Sequence, residues 1–282
     1  MTLAVRLARV PATVIALGLL FAAIAPAAMA SYQPFTLAPG IGPAIRGGAL
    51  FVPTIETQYQ EPLGTVIAEA TVRSFALLAG VAVFSLFVGV LVGITAALLR
   101  RRAVSSGIVL GATSVIAAVP SFFLAYFLQI LFIFIGGATG HTILPVFGFG
   151  LDGHLVLPLL ALSAPAVATT AQLTAVRMGE VFDADFITTA NAKGLLPSWI
   201  IRVHVLPHVL PVSLEAVGSG LRVAVASLPI VEYILLWNGI GFVALQSIAL
   251  RDPAALTACA IVLGALFALT SLLLDLRRTR VH

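Results

Sequence analysis

Residues 72–99 read VRSFALLAGVAVFSLFVGVLVGITAALL and decide the fold, because Arg73 is their only charged residue. A helix needs about 20 apolar residues to cross some 30 Å of hydrocarbon, since each backbone polar group must be satisfied within its own segment. Six apolar runs of this kind occur, at about 10–30, 72–99, 106–135, 155–176, 212–235 and 254–275. Continuous runs exclude an outer-membrane barrel, whose strands alternate apolar and polar residues. The sequence therefore predicts an all-α, polytopic membrane protein with six transmembrane helices.

The overall composition leads to the same class. Of the 282 residues, 60% are hydrophobic and 9% are charged, against roughly 25% charged in a soluble domain. A water-soluble fold is excluded. The single cysteine, Cys259, leaves no disulfide framework or cysteine metal cluster within one chain.

The basic residues predict the orientation in the membrane. Eleven of the fifteen Lys and Arg residues fall on one side of the runs: Arg6, Arg9, Arg100, Arg101, Arg102, Arg177, Lys193, Arg202, Arg277, Arg278 and Arg280. The positive-inside rule makes that side the cytoplasm, so both termini are predicted to be cytoplasmic. Because topology explains the positive charge, the pI near 9.8 is no evidence for nucleic-acid binding.

The first run has two interpretations. Arg6 and Arg9, an apolar stretch and then Ala28-Met29-Ala30 imitate a secretory signal peptide, which would be removed. The stretch is longer than a usual signal core, which favours a retained helix. We predict a first helix and extracytoplasmic loop over 1–64, one compact transmembrane domain over 65–276, and a basic cytoplasmic tail over 277–282.

The chain lacks the residues that several classes of enzyme require. The only lysine, Lys193, follows Ala192, so there is no Gly-Lys-Ser/Thr phosphate loop, and any ATP chemistry must belong to another subunit. His204 and His208 have zinc-ligand spacing, but Val205 stands where a zinc protease needs Glu, and Pro207 interrupts the helix. We therefore predict neither a metal site nor catalysis by this chain.

A polar segment separates the fourth and fifth runs. This segment, 183–211, is called the island below and reads DADFITTANAKGLLPSWIIRVHVLPHVLP. Its first part, 184–193, favours a short helix, and Gly194 offers a left-handed C-cap. A second short helix is predicted from Pro197, followed by a break at Leu206-Pro207.

The island has two possible surroundings. Ala190, Ala192 and Gly194 carry little side-chain bulk, so another protein could approach the backbone closely. Alternatively, an amphipathic hairpin would rest on lipid headgroups, with Trp199 as its interfacial anchor. The physical pattern alone leaves both open.

The sequence of the island resembles the EAA loop of membrane subunits of binding-protein-dependent ABC importers. In that loop a glycine is followed by nine residues and then a hydrophobic-X-Leu-Pro group; here nine residues separate Gly194 from His204-Val205-Leu206-Pro207. Residues 185–195, DFITTANAKGL, are similar to the Asp-Tyr-X-X-Thr-Ala-X-Ala-Lys-Gly-Leu of the dipeptide, oligopeptide and nickel permease branch. Thr188 replaces the Glu that gives the loop its name.

Other segments resemble the same branch over about 65–276. Val119-Pro120-Ser121-Phe122 is similar to its Ile-Pro-Ser-Phe in the third helix, and 232–241 and 251–253 are similar to its Glu-X-X-Phe-X-Trp-Pro-Gly-Leu-Gly and Arg-Asp-Tyr-Pro segments. Asn238 replaces the usual proline. The chain resembles the B type of the two paired permeases, since it lacks the other's Gly-Thr-Asp and Gly-Arg-Asp outer motif.

The resemblance implies an ABC importer type I transmembrane domain in the prokaryotic plasma (inner) membrane. Its implied partners are a second permease subunit, two cytoplasmic ATPase subunits and an extracytoplasmic solute-binding protein. The island would be the coupling element for the ATPase through Asp185, Ala190, Ala192, Lys193, Gly194, Leu206 and Pro207. Di- or oligopeptides are the implied substrates, with nickel or another small solute as the alternative.

Polar residues within the spans are candidates for the translocation path, since such groups usually face a cavity or a partner. They are Ser114, Ser121, Gln129, Glu215, Ser219 and Arg222. Arg222 is either a substrate contact or one half of an ion pair with a carboxylate of another helix. The serines have the alternative of packing helices or bonding backbone carbonyls.

Glu232 and Trp237 lie where the fifth span is predicted to end on the outer side. They are candidates for an outer gate or a contact with the binding protein, and Glu232 has the alternative role of bracing the turn 237–241. Two other function classes stay open: a secondary transporter driven by an ion gradient, and a structural or sensory membrane protein.

Overall fold

The structure of the chain is a computed structural model that describes residues 59–101 and 103–278, without the side chains of 101, 103–105 and 272–278. The predicted first span, the question of its removal, the N-terminal orientation and most of the predicted outer loop lie outside the described residues. So does the tail beyond 278.

The described residues form α-helices joined by short turns and one longer loop, 140–152, with no strand among them. The helices are α1 (Leu63–Leu98), α2 (Ala103–Ala118), α3 (Ser121–Thr139), α4 (Val156–Phe182), α5 (Asp185–Ala192), α6 (Pro197–Ile200), α7 (Leu206–Leu235), α8 (Ile240–Leu250) and α9 (Pro253–Arg278). Two 3₁₀ turns cover Leu99–Arg101 and Gly153–Leu155, and a π turn covers Ile201–Val205.

Five of the described helical segments are long and apolar enough to cross a membrane: Leu63–Leu98, Ser121–Thr139, Gly153–Phe182, Pro197–Leu235 and Pro253–Ser271. They fall on the second to sixth predicted runs. The prediction of an all-helical polytopic membrane protein is confirmed.

The third predicted run, 106–135, is not one helix as expected. It is divided at Pro120 into α2 and α3, and only α3 has membrane-spanning length. Pro120 has no N–H to donate, and its ring disfavours helical backbone at Val119. Pro120 itself is extended, with φ of −59° and ψ of 137°, and it occupies the N-cap position of α3.

Helix α4 lies at the centre of the bundle, packed between α1 and α7. Small residues allow the close approach: Gly89 and Gly93 of α1 face Thr170 and Thr174 of α4. A methyl group added at Gly93 would lie 2.5 Å from the Thr174 Cβ and 2.7 Å from the Ala171 carbonyl oxygen. Small residues four apart are how membrane helices come together without a hydrophobic driving force between them.

The other side of α4 uses the same device against α7. Gly220 packs against Ala166 so closely that a side chain at 220 would overlap it. A buried hydroxyl pair, Thr174 Oγ1 and Ser213 Oγ at 2.7 Å, joins the two helices further along. Such interhelical bonds contribute about 0.6 kcal/mol on average in membrane proteins.

Gly93→Ala is expected to destabilise the protein by about 1–3 kcal/mol, because the added methyl overpacks the contact between α1 and α4. Thermal unfolding of the purified protein in detergent measures the effect. Gly107→Ala in α2 is the matched control, since no atom of the described chain lies within 4 Å of a Cβ at that position. Equal unfolding midpoints for both variants would contradict the packing account.

Candidate functional site: the island and an open cavity on α7

The island folds as a short helix, a glycine turn and a second helical segment, as predicted. Gly194 has a φ of +74°, the left-handed conformation that favours glycine. Its N–H donates to the Asn191 carbonyl at 2.9 Å, and the Leu195 N–H donates to the Ala190 carbonyl at 3.3 Å. This pair of bonds is the Schellman arrangement, which satisfies the last carbonyls of α5. Pro197 then occupies the first turn of α6.

One face of α5 packs against the membrane helices of its own chain. Ile187 and Ala190, three residues apart, share that face and are buried. They belong to a small core with these residues: Ala97, Met178, Val181, Ile200, Val205 and Val209. The prediction that Ala190 presents a free surface to another protein is wrong, because its side chain is only 5% exposed. Its small size instead allows α5 to lie close to the bundle.

The opposite face of the island is open. Asp185, Ala192, Lys193 and Gly194 are all exposed, and a Cβ at Gly194 would meet no atom of the described chain within 4 Å. Beyond the turn, three apolar side chains stand out from the surface: Leu195, Leu196 and Trp199. The island therefore combines a fixed inner face with an accessible, partly apolar outer face.

The predicted break at Leu206-Pro207 is absent. The backbone continues from α6 through the π turn into α7, and the Leu206 N–H donates to the Ile201 carbonyl, five residues back. Pro207 lacks the N–H that an α-helix needs there, and a π turn is one way to accommodate the loss within a continuous helix. Leu206 is half-buried and Pro207 is exposed at the start of α7.

Arg100 ties the island to the inner ends of two membrane helices. It follows α1, its Nη1 lies 3.0 Å from Asp183 Oδ1 at the start of the island, and it donates to the Gly179 carbonyl at 3.2 Å. Its guanidinium also lies over the Phe182 ring, 5.1 Å from the centroid. The end of the bundle that carries the island is called the island end below.

A cavity of about 580 Å³ opens near the middle of α7. About three turns of α7 line it, together with one residue each from α3 and α9: Phe122, Ser219, Arg222, Val223, Ala226, Ser227, Ile230 and Phe267. Two of the predicted path residues, Ser219 and Arg222, are thus brought together. Ser227 also lines the cavity; it was not predicted, although it is a further polar residue about two turns after Ser219 on the same helix.

Among the side chains that the structure describes, none forms a hydrogen bond or ion pair with the Arg222 side chain. The carboxylate partner that the sequence left open is therefore not found in this part of the chain. Ser219 donates to the Ala216 carbonyl at 2.7 Å, so its oxygen keeps capacity to accept a bond in the cavity.

The other predicted path residues do not line this cavity. Gln129 is buried and donates to the Ile234 carbonyl at 3.2 Å, which joins α3 to α7. Ser114 donates to the Leu110 carbonyl and accepts a bond from Gln172 at 3.0 Å, which joins α2 to α4. Ser121 is buried in the first turn of α3, and Glu215 is half-buried about two turns before Arg222 on α7.

Glu232 braces the start of α8, and its side chain is 0% exposed. One carboxylate oxygen accepts from the Ser74 hydroxyl at 2.6 Å, and the other accepts from the Gly241 and Phe242 N–H groups at 2.8 and 3.1 Å. Ser74 Oγ in turn accepts from the Ile240 N–H at 2.8 Å. The N–H groups that a helix start leaves unpaired are thus satisfied by side chains of α7 and α1.

Trp237 is also fully buried, at 0% exposed. It lies beneath the loop 140–152, which joins α3 to the turn before α4, and Phe149 of that loop packs edge-on against it with ring centroids 4.8 Å apart. The Gly148 N–H also donates to the Leu235 carbonyl at 3.0 Å. Direct contact of Glu232 or Trp237 with a binding protein is excluded in this conformation by their burial. The contacts of Glu232 instead fit its alternative predicted role, a brace of the turn 237–241.

The loop that covers Trp237 has a polar turn of its own at its end. Asp152 Oδ1 accepts from the His154 N–H at 3.1 Å and lies 2.6 Å from His154 Nδ1. These hydrogen bonds to His154 hold the pKa of Asp152 below its ordinary value. The turn fixes the Gly153–Leu155 segment that leads into α4.

These elements define an integral membrane protein with a helical bundle, an open cavity on one face of α7 and a packed hairpin at one end. The chain belongs to the family of binding-protein-dependent transport system inner membrane components, which its residues 89–281 match. It is therefore a permease subunit of an ABC-type transport system, with the type I transmembrane fold, in the inner membrane.

Individual relatives are identical to this chain at between a quarter and a third of the aligned positions. A Brucella suis protein provisionally named a peptide transport system permease is 28% identical over 231 residues, which cover 79% of this chain and 73% of the relative. The oligopeptide transport system permease protein OppB of Escherichia coli K12 is 29% identical over 214 residues, which cover 71% of this chain and 65% of OppB.

Proposed function

We propose that the chain is one of two permease subunits of an ATP-driven importer for di- or oligopeptides. The observation that carries the proposal is the island: a hairpin fixed to the bundle on one face and open on the other. Two cytoplasmic ATPase subunits would bind ATP and Mg²⁺, and one of them would receive the exposed turn at 192–196. The peptide substrate is proposed from the names of the relatives.

The contacts of the island suggest how a movement of the ATPase reaches the membrane. Ile187 and Ala190 of α5 pack on Met178 and Val181 of α4, so a push on the island acts directly on the central helix. The π turn continues into α7 without a break, and α7 lines the cavity. Two helices of the path would therefore shift together when the ATPase pair closes.

A solute-binding protein would deliver the peptide at the end opposite the island. There the Glu232 brace and the loop over Trp237 hold the ends of α7 and α8 in a fixed arrangement. A rigid outer end and a movable island end fit a subunit whose two states are selected by ATP. The second permease subunit would complete the path at the open side of the cavity.

Uptake by proteoliposomes tests the proposal. The purified complex, with its binding protein in the medium and ATP inside the vesicles, is expected to accumulate a labelled tripeptide, and an ionophore that collapses proton and sodium gradients should leave uptake unchanged. Uptake that needs an ion gradient and no ATP would identify a secondary transporter. No uptake of any peptide would contradict the proposed substrate.

A further inference from the structure

The cavity on α7 has walls of two different chemistries. Phe122 of α3 and Phe267 of α9 line the cavity with aromatic rings, and Val223 and Ile230 of α7 add further apolar surface. Between them lie the hydroxyls of Ser219 and Ser227 and the guanidinium of Arg222. Binding sites for small molecules are mostly apolar, with a few polar groups that fix the orientation of the ligand.

Arg222 places a permanent positive charge in this cavity. It lies close to the midpoint of α7, which spans Leu206–Leu235, and no acceptor within the described residues pairs with it. An arginine remains charged at all accessible pH values, and its planar fork fits a carboxylate through two parallel hydrogen bonds. A charged group at this depth usually marks a pathway or a partner contact.

We propose that Arg222 binds a carboxylate of the peptide while the peptide passes through the membrane. This inference rests on the proposed function and names the part of the substrate that the cavity selects. The aromatic and aliphatic walls accept the apolar side chains of the peptide, and the hydroxyls of Ser219 and Ser227 accept its backbone N–H groups. The carboxylate is either the C-terminus, which every unmodified peptide has, or an acidic side chain.

The test compares a tripeptide with its C-terminal amide in proteoliposomes that hold the complete transport complex. The ratio of acid uptake to amide uptake is measured for the wild type and for Arg222→Gln. Because the binding protein is the same in both, any preference of its own cancels when the two ratios are compared. We expect the ratio to fall about tenfold in Arg222→Gln, as the loss of a charged hydrogen-bonded pair implies.

Two further variants make the result specific. Arg222→Lys keeps the charge and loses the planar fork, so its ratio should lie between those of the wild type and Arg222→Gln. If Arg222→Gln does not assemble, the Lys variant alone decides, and a wild-type ratio for it would overturn the proposal. Arg177→Gln is the control, because Arg177 forms an exposed ion pair with Glu180 at 2.8 Å, outside the cavity, and its ratio should equal that of the wild type.

A third peptide distinguishes the two sources of the carboxylate. The wild type is given an amidated peptide that contains one aspartate, and its uptake is compared with that of the free acid. Equal uptake of the two shows that the cavity accepts any carboxylate. Lower uptake of the amidated peptide shows that the cavity selects the C-terminus. Equal ratios in the wild type and Arg222→Gln would overturn the carboxylate site while leaving peptide import intact. Failure of the wild type to import any peptide would instead contradict the proposed function.

Discussion

Gly194→Trp is expected to reduce ATP-driven uptake to background while the protein remains inserted and folded. The turn at Gly194 is open, since a side chain there meets no atom of the described chain within 4 Å. An indole would therefore project outward over the surface proposed for the ATPase and keep the two proteins apart. Loss of even 1.4 kcal/mol of binding free energy weakens ATPase association about tenfold, and a steric block at the turn should exceed that.

The positive φ at this position requires a matched control. Any residue other than glycine is strained at φ +74°, by about 1–2 kcal/mol for most side chains. Asparagine tolerates this conformation and adds little bulk, so Gly194→Asn should retain most of the uptake and ATPase association. Unchanged uptake in Gly194→Trp, measured beside equal membrane levels of all three proteins, would contradict the coupling role.

Glu232→Ala is expected to destabilise the protein by about 3–5 kcal/mol. The substitution leaves the N–H groups of Gly241 and Phe242 and the hydroxyl of Ser74 without their acceptor in a buried site, and each unsatisfied group costs about 1–3 kcal/mol. The start of α8 would loosen from α7 and α1. Thermal unfolding in detergent, followed by circular dichroism, measures the loss.

Two companion variants check that the network, and not the charge alone, is responsible. Ser74→Ala removes one member and should cost about 1–3 kcal/mol, less than Glu232→Ala. Glu61→Ala removes an exposed carboxylate, and surface substitutions of this kind usually change stability by less than about 0.5 kcal/mol. An unfolding midpoint of Glu232→Ala that matches Glu61→Ala would show that Glu232 has no bracing role.

Hydropathy predicted the membrane helices well because burial in lipid requires long apolar segments regardless of tertiary contacts. It could not predict the interruption at Pro120, since the apolar run continues through it and only the missing N–H ends the helix. The Gly194 cap was predictable from local chemistry alone. The continuous passage through Leu206-Pro207 was not, because a π turn and a break begin from the same proline.

The side-chain assignments show where sequence reasoning stops. Ala190 was assigned to a partner because it is small, but a small residue also suits close packing within the chain, and only the structure distinguishes the two. A bracing role was one of the two that the sequence offered for Glu232, but its partner Ser74 lies 158 residues away in the sequence, so no local pattern identifies that contact. Arg222 was identified from its charge, whereas Phe122 and Phe267 joined it only through the packing of α3 and α9 around α7.

The central claim is that the outer face of the island contacts an ATPase, and cross-linking tests it most directly. The only native cysteine, Cys259, is buried, and replacing it by alanine gives a background for single cysteines at Ala192, which is exposed, and Ala190, which is buried. With a short thiol cross-linker in membranes that contain the whole complex, Ala192→Cys should join to the ATPase and Ala190→Cys should not. No ATPase cross-link from Ala192→Cys, or equal cross-linking from both positions, would contradict the account.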